Sequence, residues 1–258
     1  FQKKYKIGFK EAGKKSCLFC ADAVILNNDL SAGMPDILRN LKTQILPSPM
    51  MGWWRRKKSE HFKFYNEVAS EFCKHFEVDP WFFTSIFESQ ENVHFKAEEG
   101  LDELREKVKI VFEKTKAKYE EYGIKLEPTV FIKSDKGTYG MGIHTISNLE
   151  ELKTFNKDFK KKMAVIKDGV ENTSLIIQEG VPTVLSLGEE AVEPVVYSVL
   201  SKPVGMFFRV NKGATSNLNS KGMRLVNDFN LSEAQEVLSL LVASFANIAI
   251  GMELASLK

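Results

Sequence analysis

The stretch that organises this chain is Phe131-Ile-Lys-Ser-Asp-Lys-Gly-Thr-Tyr-Gly-Met-Gly142. An apolar, β-prone run at 128–132 leads to Lys133 and ends at a loop with glycines at positions 137, 140 and 142. Glycines let a backbone adopt positive φ and let its N–H groups approach a ligand without a Cβ atom in the way. Bare amides beside Lys133 and Lys136 are typical of a site for anionic phosphate. The simpler interpretation, a glycine-rich hairpin that only turns the chain, stays open.

This loop differs from two known phosphate-binding motifs. No Gly-Lys-Ser/Thr sequence follows the glycines, as a Walker A loop requires, and their order is not that of a dinucleotide-binding motif. The residues after the loop, 143–146, favour a strand and not a helix. We therefore expect a flap between two strands that covers a nucleotide. Its candidate binding residues are Lys133, Lys136, Gly137, Thr138, Tyr139, Gly140 and Gly142.

The composition narrows the class of protein. The 258 residues are 43% hydrophobic and 27% charged, which is ordinary for a soluble globular protein. With 36 basic and 34 acidic side chains the net charge is +2, so nucleic acid is not an expected partner. The three cysteines (17, 20 and 73) fit a reducing cytoplasm, and the single C-x-x-C lacks the second ligand pair of a zinc site.

The longest apolar run is Val237–Ile250. It contains serine and asparagine and is shorter than the ~20 residues of a membrane span, so it predicts a buried helix. No signal peptide is visible at the first residues, which are basic and polar. A cytoplasmic location with no membrane partner is the resulting expectation. The oligomeric state is not predicted.

Patterns along the chain predict the order of its elements. Apolar residues at three- and four-residue spacing predict helices over 59–76 and 97–122, with a short helix from Asp79 to about Phe87 between them. Ser232 and Gln235 form a capping box for a final helix over 233–256. The remaining predicted elements are strands at 23–26, 93–96, 128–133, 143–146, 163–167, 175–178, 194–200 and 206–211 and a helix at 149–161.

Two groups in the first half are candidates for binding a small substrate. Asn28 and Asp29 follow a short strand and precede a helix start, where α/β folds bind ligands, although capping explains them equally well. Arg55 and Arg56 precede a helix and can clamp a carboxylate through bidentate bonds. The alternative for these arginines is a solvated cluster beside two tryptophans.

The second half contains the parts of an ATP site. Two strand-borne lysines, Lys133 and Lys167, can neutralise phosphates, and the acidic Glu179 can accept hydrogen bonds from ribose or adenine. Arg209 can meet a phosphoryl group in transfer. Carboxylate or amide oxygens, such as those of the Asn217-Leu-Asn219 loop, can face Mg²⁺ or substrate.

The whole chain resembles the ATP-grasp-type bacterial glutamate–cysteine ligases. The runs that carry the resemblance are Val24–Gly33, Trp54–Phe62, Phe131–Gly142, Met163–Gly169, Ile177–Val181, Glu193–Tyr197 and Phe207–Gly222. The last run also resembles a segment of bacterial glutathione synthetases. The resemblance implies a mixed α+β or α/β fold with an ATP-grasp-like, glutathione-synthetase-like C-terminal half. It implies a smaller α/β and helical substrate-binding part at 1–125 and a nucleotide-binding part at 126–258.

The resemblance further implies an activity: joining the γ-carboxylate of L-glutamate to the amine of L-cysteine through γ-glutamyl phosphate, the first step of glutathione synthesis. ATP and Mg²⁺ are the implied cofactors. Arg209 would be catalytic, Glu193 would bind the metal, and the glycine flap would close over the nucleotide. The other implied nucleotide contacts are Lys133, Lys167, Gln178, Glu179 and Val181. The residues assigned to substrates are Asn28, Asp29, Arg55, Arg56, Asn217 and Asn219.

One departure from the family pattern keeps two alternatives open. A carboxylate followed two residues later by asparagine is expected near the end of such chains, and Glu253-Leu-Ala255 lacks that asparagine. The first alternative is another ATP-grasp carboxylate–amine ligase with different amino-acid substrates. The second is a nucleotide-binding protein without turnover.

Overall fold

A computed structural model describes residues 21–137, 142–153, 155, 157–163, 166–167, 170–171, 173–212 and 222–257 as a mixed α/β protein. Its helices are α1 (Asp36–Arg39), α2 (Lys58–His75), α3 (Leu101–Glu121), α4 (Lys157–Met163) and α5 (Glu233–Ser256). Its strands are β1 (Ala23–Ile25), β2 (Gln44–Leu46), β3 (Phe87–Gln90), β4 (Val130–Ser134), β5 (Ile143–Ile146), β6 (Ile166–Lys167), β7 (Val170–Glu171), β8 (Leu175–Glu179), β9 (Ser186–Leu187), β10 (Glu190–Val199), β11 (Lys202–Asn211) and β12 (Arg224–Val226).

Two four-stranded antiparallel sheets dominate the fold. The first has the strand order β3-β8-β4-β5 and the second β12-β11-β10-β9. In the first sheet β4 and β5 pair antiparallel around the glycine loop, so the predicted strand–loop–strand arrangement is confirmed. Two small sheets, the parallel pair β1-β2 and the antiparallel pair β6-β7, complete the set seen in the described residues.

The first sheet is covered on one face by α3. Side chains of β4 alternate between buried and partly exposed, and Val130 and Ile132 are completely buried. They share one core with Leu104, Val108 and Val111 of α3. Because successive side chains of a strand point to opposite faces, the other face of β4 carries Phe131 and Lys133. The period-two pattern therefore turns Lys133 away from the core.

Two smaller cores hold the rest of the fold. Tyr65 and Ala69 of α2 pack against Phe245 and Ala249 of α5, which joins the two helices. The helices predicted at 59–76 and 233–256 are confirmed, and the side chain of Ser232 and that of Gln235 form the predicted capping box. On the second sheet, Val192, Phe208 and Val210 are buried in a separate cluster.

The prediction that the last helix is buried is wrong. Of its 24 residues only Phe245, Ala249 and Glu253 are buried, whereas Val237 is 58% exposed. Among the described residues, this helix alone is long and apolar enough to cross a membrane by length and composition, with a mean hydropathy of 1.9. The polar residues of the apolar run do not interrupt the helix: the hydroxyl of Ser239, for example, donates to the carbonyl of Gln235 at 2.8 Å.

Several predicted boundaries also need correction. The long third helix begins at Leu101 and not at 97, because Gly100 takes a left-handed φ of 74° at the N-cap. The short helix that was expected to reach Phe87 is one 3-10 turn, 80–82, and Phe87 starts β3 instead. The helix predicted over 149–161 is a 3-10 segment at 149–153 followed by α4. The run 93–96 makes one isolated bridge and no strand.

Candidate active site

Lys133 stands on the face of the first sheet opposite the α3 core, with polar and aromatic neighbours. Its Nζ atom donates to Oε1 of Gln178 at 3.1 Å and lies 4.9 Å from the centre of the Phe131 ring. Phe131 and Gln178 are directly opposite each other in the β4–β8 ladder, so the three side chains share one face. Burial lowers the pKa of Lys133, and the charge of Glu193 partly offsets that effect. A negative ligand beside this lysine would relieve the cost of its desolvation.

The second sheet brings Glu193 and Arg209 to the same place. They are cross-strand partners in the β10–β11 ladder, and Nη2 of Arg209 donates to Oε2 of Glu193 at 2.9 Å. The charge of Glu193 also acts on Lys133 of the first sheet, where it raises the pKa against the effect of burial. The Nε atom of Arg209 is buried and has no hydrogen-bond partner among the described residues. A donor of this kind suits an anionic oxygen of a ligand.

The start of the glycine loop is held by the N-terminus of α2. Oδ1 of Asp135 accepts from the amide of Ser59 at 2.8 Å, and Oδ2 accepts from the Ser59 hydroxyl at 2.6 Å. Asp135 therefore caps α2 from 76 residues away, since Lys57 at the N-cap has no side-chain capping bond. The amide of Asp135 in turn donates to the carbonyl of Ser174 at 3.0 Å. The loop and the helix are thereby fixed to each other.

Lys58 adds three bonds to the same junction. Its Nζ donates to the carbonyl oxygens of Ser134 at 2.7 Å and of Lys136 at 2.5 Å. Its own amide donates to the carbonyl of Asp135 at 2.8 Å. Burial lowers the pKa of Lys58 to about 8, with Asp135 raising it and Lys133 and Arg56 lowering it further. The loop start is thus bonded to Lys58 and directly follows Lys133 in sequence.

Trp53 connects the glycine loop to the first half of the chain. A Cβ atom at Gly137 would lie 2.5–2.6 Å from the indole ring, so only glycine fits there without movement. The amide of Trp53 donates to the carbonyl of Asp29 at 2.8 Å. The side chains of Arg56 and Lys58 lie over the ring, at 5.3 and 5.1 Å from its centre. Three segments that are far apart in sequence therefore meet at this tryptophan.

The guanidinium of Arg56 contacts two other side chains of the protein. Its Nε lies 2.8 Å and 3.1 Å from the two carboxylate oxygens of Glu253, and its Nη2 lies 3.2 Å from Nδ1 of His61. The Glu253 side chain is 5% exposed and that of Arg56 is 18% exposed. Burial raises the pKa of Glu253, but bonds from His61 and Arg56 outweigh it and leave the pKa below its usual value. The structure places Arg56 in an internal ion pair at the edge of a cleft of about 290 Å³, and its role as a substrate clamp stays a prediction. The sequence pattern marked only a basic run and could not reveal a partner on the last helix.

The remaining candidates for amino-acid binding line two clefts. Asn28 and Asp29 border one of about 610 Å³, and each carboxamide or carboxylate oxygen accepts an amide bond two residues on, as in an Asx turn. Arg55 is exposed and borders a second cleft of about 290 Å³, together with Lys57 and Glu60. Lys133 is not among the described residues that line either cleft.

Glu179 has a structural use. Its carboxylate accepts bonds from Nε1 of Trp81 at 3.0 Å and from the amide of Ile86 at 2.8 Å, and burial raises its pKa despite them. It therefore ties the 80–86 segment to β8, and these bonds account for it without a nucleotide. Val181 is 77% exposed and Gln178 holds Lys133, so the predicted hinge remains a prediction for these three residues.

The structure covers the other predicted residues unevenly. Thr138, Tyr139, Gly140, Asn217 and Asn219 lie outside the described residues. Lys167 is on β6, as predicted for a strand-borne lysine, and only its backbone is described. Gly142 takes a left-handed φ of 66° at the end of the loop. Sequence reasoning missed Lys58, Asp135 and Trp53, although Asp135 stands in the quoted stretch and is a residue type that caps helices.

Metal binding rests on one carboxylate. Among the residues that the structure describes, no three His, Cys, Asp or Glu side chains are grouped closely enough to hold a metal ion. In the described part of the chain, Glu193 is the carboxylate that pairs with Arg209 and whose charge acts on Lys133. Mg²⁺ is commonly bound through one or two carboxylates with phosphate oxygens and water completing its shell. A single carboxylate that interacts with two cations fits that chemistry.

Comparisons with known proteins agree on one family. The family model described as glutamate-cysteine ligase matches residues 10–239. A solved structure from Methylobacillus flagellatus KT, which carries the provisional name gamma-glutamylcysteine synthetase, is 36% identical over 93% of this chain, with a TM-score of 0.81. This chain spans 60% of that protein's length. D-alanyl-alanine synthetase A from Vibrio cholerae aligns over 88% of this chain and 59% of its own at 10% identity and a TM-score of 0.40, too low to support an argument. No curated protein matched.

Proposed function

Because the chain belongs to the glutamate–cysteine ligase family, we propose that it binds ATP and L-glutamate and joins the γ-carboxylate of glutamate to the amine of L-cysteine. One observation supports this proposal above the others. Two half-buried cations from different sheets interact with one carboxylate, Glu193: Arg209 donates a hydrogen bond to it, and its charge raises the pKa of Lys133, which leads into the glycine-rich loop. Polyphosphate with a divalent ion is the ligand that such a charge arrangement suits.

The cations would share the work of binding the nucleotide. Lys133 would meet a phosphate oxygen from the first sheet, and the amides of the loop that starts at Gly137 would add uncharged donors. Arg209 would use its buried Nε, which has no partner among the described residues, for the phosphoryl group that is transferred. Glu193 would hold Mg²⁺, which neutralises phosphate charge when bound. A lysine whose pKa is lowered by burial regains a favourable environment when an anion arrives.

The reaction we propose has two steps. A γ-carboxylate oxygen of glutamate attacks the γ-phosphorus of ATP, the bond to the bridging oxygen breaks, and ADP leaves. The amine of cysteine then attacks the acyl carbon of γ-glutamyl phosphate, loses a proton, and expels inorganic phosphate. Arg209 would stabilise the charge on the phosphoryl oxygens in the first step. Such a ligase must also keep water from the acyl phosphate, which a loop over the site accomplishes.

The amino-acid substrates are assigned to the region around Trp53. The 290 Å³ cleft is lined by basic side chains, Arg55 and Lys57, and by the acidic Glu60, so both ends of an amino acid find opposite charges. Asn28 and Asp29 border the neighbouring cleft. We keep Asn28, Asp29 and Arg55, together with Asn217 and Asn219 outside the described residues, as proposed substrate contacts, and leave out Arg56.

The proposal extends to the architecture. We assign the second half, 126–258, to an ATP-grasp-like nucleotide-binding part and 1–125 to a substrate-binding part, in a cytoplasmic enzyme. Lys133, Glu193 and Arg209 all lie in 126–258, whereas β3 and α3 of the first part complete the first sheet and its core. Since the chain spans 60% of the Methylobacillus protein's length, the activity of the whole enzyme is part of the proposal.

The test is an assay of purified protein with Mg²⁺, ATP, glutamate and cysteine in which ADP and γ-glutamylcysteine are both measured. ADP that forms only when both amino acids are present supports the proposal. ADP with another amino-acid pair indicates a different carboxylate–amine ligase, and ATP binding without ADP indicates a nucleotide-binding protein.

Arg209→Ala provides the residue-level test. Removing one donor that stabilises the transferring group lowers turnover by roughly 10²–10³-fold. Arg224→Ala is a matched control, because Arg224 is also an arginine of the second sheet paired with a glutamate, Glu190, yet is 45% exposed. Near-normal turnover by Arg209→Ala would exclude the proposed role of this arginine.

A further inference from the structure

The residue that controls the start of the glycine loop comes from another part of the chain. Lys58 donates to three consecutive carbonyl oxygens: its Nζ binds Ser134 at 2.7 Å and Lys136 at 2.5 Å, and its amide binds Asp135 at 2.8 Å. The three residues directly follow Lys133 in sequence. One residue therefore fixes the path of the backbone between the candidate phosphate lysine and Gly137.

These bonds have an electrostatic consequence for an anionic ligand. A carbonyl oxygen carries partial negative charge and repels phosphate, whereas an amide hydrogen attracts it. Lys58 binds the carbonyl oxygens of Ser134, Asp135 and Lys136, so these acceptors are turned to an ammonium or amide of α2. The same ammonium is close enough to Lys133 for the charge of Lys133 to lower its pKa. Carbonyl acceptors are thereby kept from the site, and a second positive charge stands behind it.

The neighbours of Lys58 make this arrangement rigid. Asp135 is 1% exposed and is bound by Ser59 through both carboxylate oxygens. The ring of Trp53 fills the space where a Cβ atom of Gly137 would lie, and Nζ of Lys58 is 5.1 Å from the centre of that ring. Lys58 is thus confined between the loop and the indole, and a side chain that lacks its donors cannot replace it.

We propose that Lys58 is a positioning residue for ATP: it holds Ser134–Lys136 so that Lys133 and the loop amides are placed to receive the phosphates. This inference rests on the proposed ATP site and goes beyond it, because Lys58 lies in the segment otherwise assigned to amino-acid substrates. It also explains why the basic run ends directly at the helix: the last lysine of the run is the residue that reaches the loop.

The experiment compares three variants with the unaltered protein. Lys58→Met removes the charge and the side-chain donors at similar length, and Lys58→Arg keeps a charged donor. Lys63→Met is the matched control, since Lys63 is an exposed lysine of the same helix. The dissociation constant of Mg-ATP is measured by calorimetry, and KM for ATP and for glutamate are measured separately. Hydrogen exchange of peptides over 131–137 reports the local backbone directly.

We expect Lys58→Met to weaken Mg-ATP binding by about tenfold or more, to raise KM for ATP but not for glutamate, and to speed exchange over 131–137. Lys58→Arg should recover most of the affinity, and Lys63→Met should match the unaltered protein. A purely structural role would lower the melting temperature without this division between the two KM values. If Lys58→Met does not fold, Lys58→Arg and its response to pH decide the question.

The pH response uses the lowered pKa of Lys58. Its charged neighbours are Asp135, which raises this pKa, and Lys133 and Arg56, which lower it. As pH rises through about 8, Lys58 loses its proton, whereas arginine at this position stays charged. Between pH 7 and 9.5 the unaltered protein should therefore lose more Mg-ATP affinity than Lys58→Arg does. Parallel loss in both proteins would overturn the role.

Failure of this inference and failure of the proposed function give different results. If the unaltered protein binds Mg-ATP and Lys58→Met binds it as tightly as Lys63→Met, only the role of Lys58 is refuted. If the unaltered protein binds no Mg-ATP, the proposed function is refuted and the role of Lys58 with it.

Discussion

Replacing Arg56 with methionine removes the guanidinium that holds the buried carboxylate of Glu253. Two hydrogen bonds, at 2.8 and 3.1 Å, are lost, and a carboxylate that is 5% exposed is left in the interior. Removing one partner of a buried ion pair costs about 3–5 kcal/mol, because the other charge stays uncompensated. His61 remains 3.3 Å from the carboxylate, and Arg56 itself is 18% exposed. We therefore expect the lower end, about 3 kcal/mol.

The assay is urea denaturation at pH 7 with a thermal scan alongside it. For a chain of this size 1 kcal/mol changes Tm by about 2–4 °C, so the expected decrease is about 6–12 °C. An unchanged m-value would show that the loss is one of stability and not of cooperativity. Arg55→Met is the control: Arg55 is exposed in the same run, and its loss should change stability by no more than about 0.5 kcal/mol.

The double variant Arg56→Met with Glu253→Leu isolates the cause. If the cost of Arg56→Met comes from an unpaired buried charge, removing that charge as well should restore most of the stability. The two variants should differ in the opposite way in kinetics. Arg55→Met, which should leave stability nearly unchanged, should raise KM for an amino acid, and Arg56→Met should not. Arg56→Met with unchanged stability and a raised amino-acid KM would refute the reasoning and return Arg56 to the substrate site.

Three further predictions concern close packing and buried carboxylates. Gly137→Ala forces a Cβ atom against the ring of Trp53, which lies 2.5 Å from that position, and should cost about 1–3 kcal/mol of stability in urea denaturation; an unchanged midpoint would contradict the packing. Trp81→Phe removes one of the two bonds to the buried Glu179 and should cost about 1.5–3 kcal/mol by the same measurement. The folded-state pKa of Glu253 lies below its unfolded value of 4.5, so the stability that it contributes is present above pH 4.5 and is lost as pH falls through the folded pKa. Glu253→Gln should therefore flatten the acid side of a stability–pH profile, and identical profiles would count against this ion pair.

Local patterns predicted the elements that carry the site. The alternation through Val130 and Ile132, followed by glycines and a second β-prone run, was enough to place a loop between two paired strands. The Ser232 capping box marked a helix start correctly because its donors and acceptors lie within three residues. Both signals depend on neighbours in sequence, which a single sequence contains.

The partners of the charged residues could not be predicted, because they are distant in sequence. Arg56 and Glu253 are 197 residues apart, and Lys58 and Ser134 are 76 apart. A basic run has the same appearance whether its members contact substrate, protein or water. The exposure of α5 was missed for a similar reason. An apolar composition shows that burial of a helix is favourable, but tertiary packing decides how much of the helix is buried within the described fold.

The residues of the segment 53–58 bind different parts of the protein. Trp53 binds the backbone of Asp29, Arg56 binds the last helix through Glu253, and Lys58 binds the loop start at Ser134–Lys136. This run is therefore the junction between the proposed amino-acid region, the C-terminal helix and the proposed phosphate loop. In the proposed ligase a substrate carboxylate has to reach the γ-phosphorus of a nucleotide bound by another part of the chain. A short rigid segment bonded to both parts sets that distance, and this is why substitutions in it should change ATP binding, amino-acid binding and stability one residue at a time.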